Sequence, residues 1–114
     1  MPYDVHQEKN YSQDARSIYD AALKSVEKLK AQILSSKPED LRLEVKFDKT
    51  ILGTVLGDRT QLTCAVQADG DGSKVVIDAY PLDAVGRKLM FGARKGVSQT
   101  VINWFIAHLE NNLK

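Results

Sequence analysis

The sequence predicts an α+β fold. We expect an antiparallel β-sheet of four to six strands carrying a long N-terminal helix and a C-terminal helix on one face, in the order β-α-β-β-β-β-α. Three observations carry this expectation. Apolar residues recur at helical spacing from Ala15 to Ile33, short alternating runs separated by turn residues fill the middle of the chain, and helical spacing returns from Val97. The loops between the middle runs are short, and parallel neighbours would need a long crossover, so the strands are antiparallel.

The elements follow in order. Tyr3 to Lys9 reads as a short strand, with Tyr3 and Val5 on one side and Asp4, His6 and Glu8 on the other. Ser12 offers an N-cap for a helix running to about Leu34. Its stripe is Ala15, Ile18, Ala22, Val26, Leu29 and Ile33, and Arg16, Asp20, Lys24 and Lys28 repeat every fourth residue on the polar side. Pro38 biases Lys37 away from helical angles and ends the segment. Leu41 to Asp48 alternates without a fault: Leu41, Leu43, Val45 and Phe47 face inward, and Arg42, Glu44, Lys46 and Asp48 face water. Thr50 to Leu56 is a weaker strand that Gly53 interrupts as a bulge. Gly57-Asp58 turns the chain into a strand from Thr60 to Ala68, and Asp69-Gly70-Asp71-Gly72 turns it again into Lys74 to Tyr80, which Pro81 stops. Arg87 to Phe91 adds a short further strand before the final helix, for which Ser98 and Thr100 supply the cap and first turn.

This element order resembles the TBP-like and helix-grip families of α+β folds, in which a curved antiparallel sheet wraps a C-terminal helix. The resemblance spans nearly the whole chain and rests on topology, with no family sequence motif matched. It implies a fold shared by DNA-binding proteins, lipid carriers and envelope-protein domains, so it does not choose a function.

The totals exclude more than they assign. A chain of 114 residues is one domain spanning 1–114. Its net charge of +1 sets up no global field toward nucleic acid or membrane. Cys64 is the single cysteine, so neither a disulfide framework nor a thiolate metal cluster can form. No secretory leader or long apolar run is visible, and a cytoplasmic location is the expectation.

One segment departs from the balanced charge. Between Asp83 and Glu110 there is no acidic residue, while Arg87, Lys88, Arg94 and Lys95 are interleaved with Gly86, Gly92 and Gly96 just before the last helix. A helix N-terminus already favours an anion. The leading expectation is therefore a non-catalytic binding module that holds an anionic small molecule or an acidic protein surface at Arg87, Lys88, Arg94, Lys95 and Gly96. The competing reading has these cations paired with Asp58, Asp78 or Asp83 across the fold. Four phosphate contacts would give a salt slope of only about −3.6, and four cations near an anionic leaflet contribute about 4 kcal/mol. Neither specific nucleic-acid binding nor membrane attachment is expected.

The last helix supports a second expectation. Val97, Val101, Ile102, Phe105, Ile106, Leu109 and Leu113 form a wide apolar stripe with Trp104 beside it. Beyond core packing, the excess suits an apolar or lipid-like ligand carrier, with a pocket between this helix and the sheet lined by Tyr80, Phe91, Trp104 and Phe105. The uncovered sheet face and edges also leave room for a homo-oligomer. No catalytic set, cofactor signature or metal site emerges. Asp69-Gly70-Asp71-Gly72 fails the calcium-loop pattern, Gly86 to Lys95 fits no Walker loop, His108 sits at a helix edge without partners, and Cys64 has the parity of a buried hydrophobe.

Overall fold

The computed structural model describes residues 3–93 and 96–114. Its elements are β1 (Val5–Tyr11), α1 (Ala15–Lys28), β2 (Gln32–Lys37), β3 (Arg42–Phe47), β4 (Thr50–Ile51), β5 (Thr54–Val55), β6 (Arg59–Asp69), β7 (Gly72–Leu82) and α2 (Val97–Asn112), with a 3-10 turn at Pro38–Asp40. Five strands form one antiparallel sheet in the order β1-β7-β6-β3-β2, and β4 and β5 make a separate hairpin. The fold is thus α+β, of helix-grip-like form, with an N-terminal and a C-terminal helix.

Strict alternation builds the core. Register aligns Leu43, Cys64 and Ile77 in one row across β3, β6 and β7, and Val45, Leu62 and Ala79 in the next. All six are buried. Against them pack Ile18, Ala22 and Val26 of α1 and Val101, Ile102, Phe105 and Leu109 of α2, so both helices cover the same face. Each large side chain buried there contributes about 1.5–3 kcal/mol.

The first helix differs from its expectation at both ends. Asp14, not Ser12, is the N-cap: its carboxylate accepts from the Ser17 amide at 3.2 Å. The helix stops at Lys28, not near Leu34, because Lys30 turns left-handed at φ 62. The Lys30 amide donates to Glu27 and the Ala31 amide to Val26, which closes a Schellman motif with lysine where glycine is usual. The chain beyond becomes β2, so Ile33 leaves the helical stripe and stands 42% exposed on an edge strand.

Four further corrections concern the chain from Thr50 onward. Thr50 to Leu56 is not a sheet strand with a bulge but the β4–β5 hairpin, whose turn residues Leu52 and Gly53 both have positive φ (49 and 84). β7 passes through Pro81 to Leu82. The Pro81 carbonyl accepts from the Leu89 amide at 2.9 Å on the side where β1 has already ended, so no strand there asks for the missing N–H. The expected strand from Arg87 to Phe91 reduces to a single bridge between Leu82 and Lys88. Gly96, at φ 81, is the N-cap of α2, and Ser98 is buried without capping it. Gly72 is required at its turn, since a Cβ there would run into the Tyr11 carbonyl oxygen.

Candidate functional site

The described basic candidates lie in the loop after β7, ahead of α2. After β7 the chain makes a self-contained turn. Asp83 accepts from the amides of Val85 (3.0 Å) and Arg87 (2.9 Å), and its own amide donates to the Arg87 carbonyl at 2.7 Å. The Arg87 amide bond is the main reason its carboxyl is held below the usual carboxylate range. The Arg87 guanidinium lies 3.8 Å from the same carboxylate, with 82% of its side chain exposed.

Lys88 points the other way. Its ammonium donates to Asp4 at 2.9 Å and lies 4.5 Å from the centre of the Tyr80 ring. Two of the four expected cations therefore already face carboxylates, Arg87 with Asp83 and Lys88 with Asp4. Arg94 and Lys95 lie outside the described residues. Gly96 and the first turn of α2 complete the segment, and among the described residues no side chain caps that helix.

The apolar candidates are not brought into one pocket. Phe105 is fully buried in the core and Phe91 is 86% exposed. Tyr80, half-buried, belongs with Lys88. Trp104 lies elsewhere: with Ala107 and His108 of α2 and with Leu52 and Thr54 of the β4–β5 hairpin it lines an open hollow of about 300 Å³. A second hollow of about 320 Å³ sits at the base of the same hairpin, lined among others by Lys49, Arg59, Leu82, Asp83, Leu89 and Gly92. The hairpin thus separates an apolar hollow against α2 from a charged one against the loop after β7.

The sequence reading missed Leu52 and Thr54 and gave His108 no role. The available signal was Leu52-Gly53, a leucine at a turn position that prefers asparagine or aspartate. Elsewhere the chemistry is quiet. Burial pushes the Cys64 thiol up to about 12, so it is no nucleophile at neutral pH. Among the described residues no group of histidine, cysteine, aspartate or glutamate side chains could hold a metal ion, and no helix is long and apolar enough to cross a membrane.

No family model and no curated protein sequence matches the chain. Solved structures do. Ara h 8.0201 superposes with a TM-score of 0.62 at 10% identity, over 97% of this chain and 97% of its own. A protein from Nitrosomonas europaea gives 0.60 at 11% identity over 97% and 94%. The di-domain ARO/CYC StfQ from the steffimycin biosynthetic pathway gives 0.61 at 8% identity, over 94% of this chain and 44% of that one. At such identities the likeness is one of fold.

Proposed function

We propose that this chain is a non-catalytic binding module for a small amphipathic organic anion. The apolar part would rest in the hollow between the β4–β5 hairpin and α2, against Leu52, Trp104 and His108. The acidic end would lie toward the basic segment 86–96, with Arg94 and Lys95 as its main cations. Leu52 carries the reading. It is 56% exposed and held at φ 49, a conformation costing a bulky residue roughly 1–2 kcal/mol. A strained, exposed leucine beside the chain's one tryptophan is poor economy for folding and good provision for a ligand. A fold neighbour from the steffimycin biosynthetic pathway is in keeping with a small-molecule ligand.

The test uses Trp104 emission, titrated with decanoate and with decanol. We expect both to shift the emission, and decanoate to bind more tightly. Leu52→Asn weakens both, whereas Arg94→Ala with Lys95→Ala weakens decanoate alone. No response of Trp104 to either probe at their solubility limits would overturn the reading. A second reading, an anion or acidic protein surface held by residues 86–96 alone, is favoured by the glycine N-cap of α2, which brings no side-chain acceptor of its own to the first turn. It predicts that inorganic phosphate protects the amides of that turn while Trp104 stays silent.

A further inference from the structure

The sheet face turned away from the helices has two unlike halves. On β1 and β7 its charges are matched: His6 bonds Asp78 and Glu8, and Glu8 also takes Lys74 at 2.7 Å. On β2 and β3 they are not. Leu43 is buried on the inner face, so its neighbours Arg42 and Glu44 point outward with their cross-strand partners Lys37 and Ser35. Register therefore sets Lys37 directly opposite Arg42. Like charges so placed destabilise a strand pair, and an anion held between them reverses the sign.

No carboxylate of the described residues fills that place. The row of Lys37 and Arg42 continues through Ala65 of β6 and Val76 of β7 to Glu8 of β1. Three strand spacings put Glu8 roughly 14 Å from Arg42, and His6 and Lys74 already occupy it. Glu39 and Asp40, in the turn between the two cations, pair with neither. Among the described residues Lys37 and Arg42 make no ion pair at all. Glu44 accepts from the Gln61 side-chain amide at 3.0 Å, which draws its carboxylate toward β6, on the opposite side of β3 from Lys37. Lys37, Arg42 and Glu44 line a hollow of about 190 Å³ together with Ser35 and Thr63. Neither of those two hydroxyls makes a hydrogen bond among the described residues.

We infer that this hollow is a binding site for the tetrahedral oxoanion of a phosphate group, held between Lys37 and Arg42. A guanidinium offers two parallel N–H donors to two oxygens, and an ammonium meets a third as a point charge. The Ser35 and Thr63 hydroxyls supply the remaining donors. A phosphoryl group brings three acceptor oxygens and close to two negative charges, which matches two cations and two hydroxyls. A carboxylate, with two oxygens and one charge, leaves half of these donors unused. Glu44 is the one opposing group, and it keeps the expected affinity in the millimolar range. The site lies across the sheet from α2, so it stands apart from the hollow beside Trp104.

The test titrates the folded protein with inorganic phosphate, phenyl phosphate and acetate at constant ionic strength, read from its amide and arginine side-chain resonances. We expect saturable shifts centred on Ser35, Lys37, Arg42 and Thr63 with both phosphates, and weaker binding of acetate. Arg42→Gln and Lys37→Gln should each weaken phosphate binding by roughly tenfold. Glu44→Gln should strengthen it by about two- to fivefold. Lys46→Gln removes a cation from the same face four residues along β3 and should leave it unchanged. Equal affinity for the two phosphates assigns the site to the free anion, and tighter phenyl phosphate assigns it to a phosphate ester. In phosphate-free buffer Arg42→Gln and Lys37→Gln should unfold no earlier than the wild type. Earlier unfolding of both would make the two cations structural and overturn the site. So would shifts that do not saturate, acetate binding as tightly as phosphate, or an affinity that Lys46→Gln lowers as much as Arg42→Gln.

Discussion

Lys88 and Asp4, eighty-four positions apart in sequence, meet at 2.9 Å and fasten the loop after β7 to the start of β1. The Tyr80 ring lies under the same ammonium at 4.5 Å. This pair places the basic segment at the end of the sheet, and it also takes one cation out of the available set.

Lys88→Met removes both contacts while keeping the stem. Lys88 and Asp4 are about a third or more exposed (32% and 40%), so solvent screening keeps the expected loss of global stability at or below about 1 kcal/mol. The local effect is larger. The Leu89 amide, bonded to the Pro81 carbonyl, should exchange its hydrogen faster, and an unchanged exchange rate there would show that the pair does not hold the loop.

His6 predicts a pH dependence with a definite sign. Its Nδ1 lies 2.6 Å from Asp78 and its Nε2 2.8 Å from Glu8, and only an imidazolium donates to both carboxylates. The bond to Glu8, then that to Asp78, raises its pKa above the usual 6.5. The stabilisation is therefore fully present below that value and lost as pH rises through the raised one. Glu8 works in the opposite sense: Lys74 first and His6 second hold its pKa below the usual 4.5, so its contribution is present above that value and lost on acidification. Urea titrations at a series of pH values should show wild-type stability falling as pH rises from 6.5 through the raised value and His6→Gln insensitive there. Equal slopes in the two proteins would remove the imidazolium bridge.

Lys30→Gly should stabilise the monomer by about 1 kcal/mol, because glycine takes the left-handed conformation that lysine holds under strain at φ 62. Thermal unfolding at low concentration checks this. A loss of stability would mean that the Lys30 side chain packs usefully within its own chain.

Leu52→Asn makes a paired prediction. Asparagine before Gly53 suits a turn with two positive φ values, so stability should rise by about 1 kcal/mol while the Trp104 response to decanol falls. Improved stability with unchanged binding would detach Leu52 from the site.

The two phenylalanines that the sequence places in one pocket should separate sharply. Phe105→Ala empties a fully buried position and should cost about 3–5 kcal/mol. Phe91→Ala changes an 86% exposed side chain and should stay within about 0.5 kcal/mol. Chemical denaturation of the two variants measures both.

The sequence by itself determined which residues face the core. Alternation in β3, β6 and β7 and helical spacing in α2 are local properties of side-chain direction, and Leu43, Cys64, Ile77 and Phe105 are buried where those periods place them. Only the tertiary structure decided what left-handed backbone does. Lys30 ends α1 within its own Schellman turn and Leu52 turns a hairpin, and neither is a glycine that would announce left-handed backbone. The candidate site is divided in the same way. A run of cations without acids is legible along the sequence, but their carboxylate partners are not: Asp4 reaches Lys88 through the pairing of β1 with β7, and Leu52 reaches Trp104 through the folding of a hairpin onto α2. Partners so distant in sequence are set by the closing of the fold, which no local pattern records.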